Sequence, residues 1–410
     1  MNRREWMMLS GASMAALPQA ARAQAQQTAA APPAAGTEPV GPEQILLKDY
    51  NPVSIYRIPK TEIAKAKYPV IDAHWHGEWA NTPERLAEMV RIMDATGVEK
   101  VVTFQRTGVP ERFAELSKAF AKYPDRFYLW CGWDLSGFDQ PGFAANAIKQ
   151  LDECHRLGAL GIGEIIDKGR GFMGGGGGRG GGGRGGRGGG RGAAAGANAA
   201  NPAPRPPGMH IDDPRLDPII ERCRQLGMPI NVHVSDPIWS YQPMDATNDG
   251  LMNAYTWRIN VVPGVLGHNE LIEGFERAVS RHPKNMFVAA HICNLDYDLT
   301  RLGQMFDRNP NFHADLGARF GEIGPIPRFG AQFFQKYQDR ILWATDTAYT
   351  ERYLRASFRI LETLDEHFYE KELFKYHWPL YGFGLPDAVL KKIYQDNALK
   401  VFERARNNAA

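Results

Sequence analysis

The sequence predicts an α/β protein in which eight parallel strands alternate with helices and close into a (β/α)8 (TIM) barrel. Short apolar strands alternate with amphipathic helices from Tyr68 onward. Several of these strands are followed directly by a histidine or an acidic residue, as expected where strand ends form an active site. A doubly wound open sheet is the alternative, but no glycine fingerprint follows the first strand.

The first strand begins at Val70 and Ile71, and the helix after it has clear start and stop signals. Thr82 is a capping residue and Pro83 occupies the first helical position. Apolar residues then recur at helical spacing until Gly97 ends the helix. The later predicted strands cover residues 101–104, 127–131, 161–165, 229–234, 286–292, 312–316 and 341–344. The later predicted helices lie around residues 111–123, 144–157, 213–226, 271–281, 299–306 and 333–338.

Composition sets broad limits on function. The chain has 410 residues, of which 43% are hydrophobic, so a large core is available. The net charge of +2 favours neither nucleic acid nor a membrane surface as partner. No apolar run approaches the roughly 20 residues that span a bilayer. We therefore expect a small-molecule substrate and leave open a homo-oligomer. Four scattered cysteines predict reduced, buried thiols rather than a disulfide scaffold.

The first residues look like an export signal. Arg3 and Arg4 precede a mild apolar stretch, and residues 21–23 (Ala-Arg-Ala) offer a small-x-small cleavage site. We read residues 1–25 as a twin-arginine-type signal peptide, which predicts a periplasmic or otherwise exported protein. Residues 26–66 are expected to be a tether or extension, and residues 67–405 the catalytic barrel.

A glycine- and arginine-rich stretch, residues 168–208, interrupts the barrel after strand four. This composition cannot bury a core and predicts a disordered insertion. One alternative is an RGG-type RNA-binding segment, since arginine planes can stack on bases. A tolerated surface loop is the favoured interpretation, because an exported protein would rarely meet RNA.

Six side chains that can bind a metal lie at the carboxyl ends of predicted strands or just after them. His74 and His76 are two residues apart on strand one and should project from one face. The others lie at the carboxyl ends of strands four, five and six and just after strand eight: Glu164, His233, His291 and Asp346. Imidazole and carboxylate are the ligands that hydrolytic Zn²⁺ sites use. The sequence therefore predicts a site for a divalent metal, with zinc the first choice, at the carboxyl ends of the strands.

These motifs, in this order, resemble the amidohydrolase superfamily, and more narrowly the amidohydrolase-related (amidohydrolase 2) family of metal-dependent TIM-barrel hydrolases. The resemblance implies that His74, His76 and Asp346 bind the principal metal, joined by His233 if there is one ion. His291 would then be free for catalysis. In the two-metal alternative Glu164 bridges the ions, and His233 and His291 hold the second. Glu164 could also lie outside the ligand shell.

The implied function is hydrolysis of a small amide, ester or lactone, which we expect to carry a carboxylate. Asp346 would accept the proton of the attacking water and His291 would assist. Arg319 and Arg106 are candidates for binding a substrate carboxylate, and Trp75 and Trp239 for lining the pocket. Arg319 could instead pair with a carboxylate such as Glu322. A decarboxylase or hydratase of the same family is the main alternative, and a TatD-like metal nuclease a weaker one.

Overall fold

The computed structural model describes residues 41–80, 82–172, 208–261, 263–347 and 349–408. These residues contain eight strands: β1 Val70–His76, β2 Val98–Phe104, β3 Phe127–Trp130, β4 Ile162–Asp167, β5 Ile230–Val234, β6 Phe287–Ala289, β7 Phe312–Asp315 and β8 Ile341–Leu342. The helices are α1 Pro83–Thr96, α2 Pro110–Ser117, α3 Phe143–Arg156, α4 Asp217–Gln225, α5 Leu251–Trp257, α6 His268–Arg281, α7 Leu299–Arg308, α8 Phe320–Ile323, α9 Pro327–Lys336, α10 Glu351–Glu362, α11 Lys371–Phe374, α12 Asp387–Lys391 and α13 Asn397–Asn407.

The strands form a closed parallel barrel. Strands β1 to β3 pair in order, and so do β4 to β8. The amide of Cys131, after β3, donates to the Gly161 carbonyl before β4 (3.0 Å). At the other junction the Ala73 amide donates to the Trp343 carbonyl (3.0 Å), and the Asp346 amide to the His74 carbonyl (2.9 Å). These bonds complete the ring, and the predicted fold class is confirmed.

Helix α1 begins and ends where its capping residues predicted. The Thr82 hydroxyl accepts a hydrogen bond from the Arg85 amide (3.3 Å), and Pro83 begins the helix. Gly97 ends it with φ +89°, a backbone conformation that glycine adopts without the cost of a Cβ.

Strand β1 contains an irregularity that the alternation rule did not anticipate. Its pairing with β2 shifts between Asp72 and Trp75, as in a β-bulge. Ile71 and Ala73 pack in a small apolar cluster with side chains of β6, β8 and α13, whereas Trp75 belongs to the large cluster beneath the helices. A bulge changes which residues face inward, so His74 and His76 turn inward above Ala73.

The predicted end of strand six is wrong, because the strand is shorter than the apolar run. The apolar run to residue 292 suggested one continuous strand, but β6 ends at Ala289. His291, Ile292, Cys293 and Asn294 all have φ between +50° and +60° and form a tight, fully buried turn. Apolar residues there reflect burial of the turn, not extension of the strand. Similarly, the helix predicted at 111–123 ends at Ser117 and continues as a 3₁₀ turn, Lys118–Lys122.

The predictions for the cysteines, for membrane-spanning helices and for the low-complexity segments remain to be compared with the structure. Cys131, Cys154, Cys223 and Cys293 are free and buried, as expected. No described helix is both long and apolar enough to cross a membrane. The predicted signal peptide, residues 26–40 of the tether and residues 173–207 of the insertion lie outside the described residues.

Candidate metal centre

The six predicted metal-binding side chains meet at the carboxyl end of the barrel. His74 Nε2 lies 3.5 Å from Glu164 Oε1 and 3.5 Å from Asp346 Oδ1. His76 Nε2 lies 3.0 Å from Asp346 Oδ1 and 3.5 Å from Glu164 Oε2. His291 Nε2 lies 3.4 Å from Glu164 Oε1 and 3.6 Å from Asp346 Oδ2. Residues more than 270 positions apart in the chain therefore share one small polar cluster.

Asp72 fixes the junction that carries two members of this cluster. Its buried carboxylate accepts hydrogen bonds from the amides of His74 (3.1 Å) and Thr345 (3.0 Å). It also accepts from the Thr345 hydroxyl (2.7 Å) and the Tyr349 hydroxyl (3.0 Å). The same side chain thus holds the end of β1 beside the segment that carries Asp346.

His74 is oriented by a second buried carboxylate. Its Nδ1–H donates to Asp315 Oδ2 (3.0 Å), so in the neutral form that a metal requires, its Nε2 carries the lone pair that faces the cluster. This Nε2 is buried and has no hydrogen-bond partner within the described ranges. Burial lowers the pKa of His74, but the negative charges of Asp315 and Asp346 outweigh it and raise that pKa to about 10. The same field attracts a metal cation to Nε2.

His291 is oriented in the same sense by the tight turn. Its Nδ1–H donates to the Gly317 carbonyl (2.7 Å), and its amide donates to Asp315 Oδ1 (3.0 Å). Burial first, then the charges of His233 and Arg319, lower the pKa of His291 to about 4. A neutral imidazole with Nε2 directed into the cluster is the form that ligates a metal.

His233 faces the cluster with its other ring nitrogen. Its Nδ1 lies 2.8 Å from Glu164 Oε1 and 3.0 Å from His291 Nε2. Its Nε2 lies 3.3 Å from Asp236 Oδ1, which also accepts a hydrogen bond from Lys168 Nζ (2.9 Å). Burial opposes ionisation of Asp236, but His233 and Lys168 lower its pKa to about 2.

The distances fit a metal ion. Two groups in the described part of the chain could hold one: His74 with Glu164 and His291, and His74 with His76 and Asp346. Ligands about 2.1 Å from a tetrahedral ion lie about 3.4 Å from each other, close to the separations found. Both groups use His74 Nε2, and one nitrogen lone pair binds one ion. The geometry therefore describes a single centre more simply than two, and His233 belongs to neither group.

The predicted substrate residues have internal partners. The Nε and Nη2 groups of Arg319 donate to Asn294 Oδ1 (3.2 and 2.5 Å), and its Nη1 lies 3.6 Å from Glu322. Arg106 pairs with Glu78 at 3.3 Å and is more exposed.

Both predicted pocket tryptophans have aromatic neighbours. Trp75 is buried (1% exposed) in the core beside Trp79 and Tyr349, away from the cluster. Trp239 packs near Tyr376 and Trp378. The substrate roles of Arg319, Arg106, Trp75 and Trp239 stay predictions.

Sequence reasoning missed Asp315, Asp236 and Lys168. Lys168 directly follows β4 and Asp236 lies two residues after β5, so a search of strand ends for all charged residues would have found them. Asp315 ends β7, where the sequence shows only one acid in an apolar strand. The position of Asp315 at a strand end was the available signal, because a buried carboxylate there needs hydrogen-bond donors around it.

The family comparison agrees with this architecture. The family model described as Amidohydrolase matches residues 71–404. The chain belongs to this amidohydrolase family. Members of the family are metal-dependent enzymes, and this chain places His, Glu and Asp side chains where an ion could bind. No curated protein matches the chain.

Several solved structures are similar to the barrel at low identity. They include 5-carboxyvanillate decarboxylase from Sphingomonas paucimobilis, with 12% identity, a TM-score of 0.45, and coverage of 82% of this chain and 99% of that one. A 4-oxalomesaconate hydratase from Rhodopseudomonas palustris has 15% identity, a TM-score of 0.43, and coverage of 82% and 97%. A zinc-bound amidohydrolase from Burkholderia multivorans has 11% identity, a TM-score of 0.42, and coverage of 82% and 99%.

Proposed function

We propose that this amidohydrolase-family chain is a metal-dependent hydrolase with one divalent ion, most simply Zn²⁺, held by His74, His76 and Asp346. Glu164 and His291 complete the ligand shell. The observation that carries this proposal is the buried, unpartnered Nε2 of His74, 3.5 Å from both carboxylates. A buried ring nitrogen without a hydrogen-bond partner costs free energy, and a metal ion that replaces its proton and binds both carboxylates removes that cost.

An ion bound there would lower the pKa of a water molecule and polarise the scissile carbonyl. Asp346 is placed to take the proton of the attacking water. Its side chain is 17% exposed, whereas that of Glu164 is 3% exposed, so Asp346 is the carboxylate that entering water meets. We assign the proton to Asp346 Oδ2, which then passes it to the leaving group.

His233 is suited to hold a second proton near the leaving group. Its Nδ1 faces the cluster, and Asp236 accepts from its Nε2–H, the arrangement that fixes a catalytic imidazole in one orientation. Lys168 neutralises Asp236, so the carboxylate that contacts His233 is part of an ion pair and is not an isolated charge. This role differs from the ligand role that the family resemblance implies for His233.

The basic side chains at the strand ends favour a substrate without a carboxylate. Arg106, Lys168 and Arg319 are each already paired with a carboxylate, at 3.3, 2.9 and 3.6 Å. A decarboxylase or hydratase acting on a carboxylate needs a cation that is available to bind it. Hydrolysis of an amide, ester or lactone that carries no carboxylate therefore fits this arrangement better than the lyase alternative.

The test is a product assay with a matched panel. Wild-type protein loaded with zinc is given neutral aryl esters, anilides and lactones, and in parallel aromatic carboxylates monitored for CO₂ release. We expect hydrolysis in the first set, lost in His74→Gln but retained in His367→Gln. The ring of His367 contacts Tyr56, Tyr369 and Tyr381 and none of the cluster residues. Release of CO₂ without hydrolysis would contradict the proposal.

A further inference from the structure

A second polar cluster lies beside the metal centre, and the proposed chemistry does not use it. Asn294 connects the two: its side-chain amide donates to the carbonyls of Val234 (3.0 Å) and Ser235 (3.3 Å), directly after His233. Its Oδ1 accepts from Arg319. Around this guanidinium lie two acids, Asp296 and Glu322, which with Arg319 we call the acidic subsite.

Asp296 is the unusual member. It is 2% exposed, and neither of its carboxylate oxygens has a hydrogen-bond partner in the regions that the structure describes. Arg319 Nε is 3.9 Å from its Oδ1, too far for a hydrogen bond, because that nitrogen already donates to Asn294. Burying a carboxylate without donors is costly, so this side chain needs a donor that the described residues do not supply.

The charges of the subsite are unbalanced. One guanidinium faces two carboxylates, and the nearby Asp236 is occupied by Lys168. Glu322 has a partner in the Tyr376 hydroxyl, which donates to its Oε1 (2.8 Å), whereas Asp296 has none. Burial raises the pKa of Asp296, and it raises that of Glu322 to about 7, so one guanidinium does not offset the cost of ionising both acids. A second cation with several N–H donors would offset it, whereas a carboxylate ligand would add to it.

We propose that the acidic subsite binds a primary ammonium group of the substrate, with Asp296 as the main acceptor. An ammonium has three donors and can satisfy both oxygens of Asp296 together with one further acceptor. This inference deepens the proposed function, since it gives the hydrolase a substrate with an amino group next to the scissile bond. It also reverses the expectation that Arg319 binds a carboxylate.

Aromatic side chains border the subsite and suggest suitable probes. Tyr376, which bonds Glu322, stacks on Trp378 with ring centroids 4.1 Å apart and planes at 12°. Trp239 lies 5.8 Å from Trp378. A benzyl group next to the ammonium would meet apolar rings here, so benzylamine, benzyl alcohol and phenylacetate form a matched set that differs in the polar group.

The experiment is a calorimetric titration of the metal-loaded full chain with each probe at pH 7. We expect benzylamine to bind at least about tenfold more tightly than benzyl alcohol, and phenylacetate to bind most weakly. In Asp296→Asn the advantage of benzylamine over benzyl alcohol should disappear, whereas Asp307→Asn, an exposed acid on α7, should retain it. Metal content and thermal unfolding of both variants are measured alongside.

Several outcomes would overturn the inference. Equal binding of benzylamine and benzyl alcohol to the wild type, tighter binding of phenylacetate, or no binding of any probe would each do so without needing a variant. If Asp296→Asn keeps the preference, the amine binds elsewhere, for example at the metal. Because no turnover is involved, these results are independent of whether the protein hydrolyses a given ester.

Discussion

Replacing Asp315 with asparagine tests how the protein prepares His74 for a metal. Asp315 is completely buried and accepts four hydrogen bonds: from His74 Nδ1 and Asn231 Nδ2 at one oxygen, and from the His291 and Gly317 amides at the other. Asparagine keeps the shape but puts an NH₂ group at one of these positions. Two buried donors then lose their acceptor, whichever way the amide is oriented.

The size of the effect follows from these contacts. Loss of a buried carboxylate that orients a metal-binding histidine weakens metal affinity about 10- to 100-fold. Two unsatisfied buried donors reduce the free energy of unfolding by about 2–4 kcal/mol. Both changes should appear together, because the same carboxylate holds the His74 ring and the turn that carries His291.

Affinity is measured by competition for zinc with a coloured chelator, and stability by urea denaturation of the metal-free protein. Asp307→Asn is the matched control, since it makes the same chemical change at an exposed site. If Asp315→Asn loses stability but binds zinc as tightly as the wild type, the carboxylate is only a structural support and the assigned role of His74 Nε2 is wrong.

Three further outcomes are expected. Burial, with the charges of Arg340 and Arg404, lowers the pKa of His313 to about 3. A lowered folded-state pKa gives stability that is complete above about pH 6.5 and lost at about 1.4 kcal/mol per pH unit below it. Between pH 7 and pH 4 the urea midpoint should therefore fall less in His313→Gln than in the wild type. An equal fall in the two proteins would contradict this. Trp343→Ala, which removes a fully buried ring stacked on Phe358, should cost about 3–5 kcal/mol in urea unfolding; a loss below 1 kcal/mol would refute the packing. His233→Gln should lower kcat about 100-fold or more with zinc content unchanged, whereas loss of the metal would make His233 a ligand.

Much of the architecture could be predicted because its signals are local. The strand and helix alternation depends on periodicity within each segment, and the capping of α1 on adjacent residues such as Thr82 and Gly97. The convergence of His74 and Asp346 followed from the rule that barrel strands present their carboxyl ends together. In the structure His74 Nε2 lies 3.5 Å from Asp346 Oδ1.

Other features depend on contacts that no local pattern encodes. The bulge in β1 and the left-handed turn at His291 are set by pairing with distant strands and by Asp315. The partners of Arg319 lie in the turn after β6 and in α8, so a strand-end arginine looked available for substrate when it is largely occupied. Sequence spacing predicts which side chains reach this site, but not which of them are already paired with another residue.

A single metal centre that depends on His74 is tested most directly by elemental analysis. The purified wild-type chain is compared with His74→Gln, with protein concentration fixed by amino-acid analysis. The two candidate groups share His74, whose Nε2 lies 3.5 Å from both Glu164 and Asp346. We therefore expect one divalent ion per wild-type chain and none in the variant. Two ions per wild-type chain, or an unchanged content in His74→Gln, would contradict it.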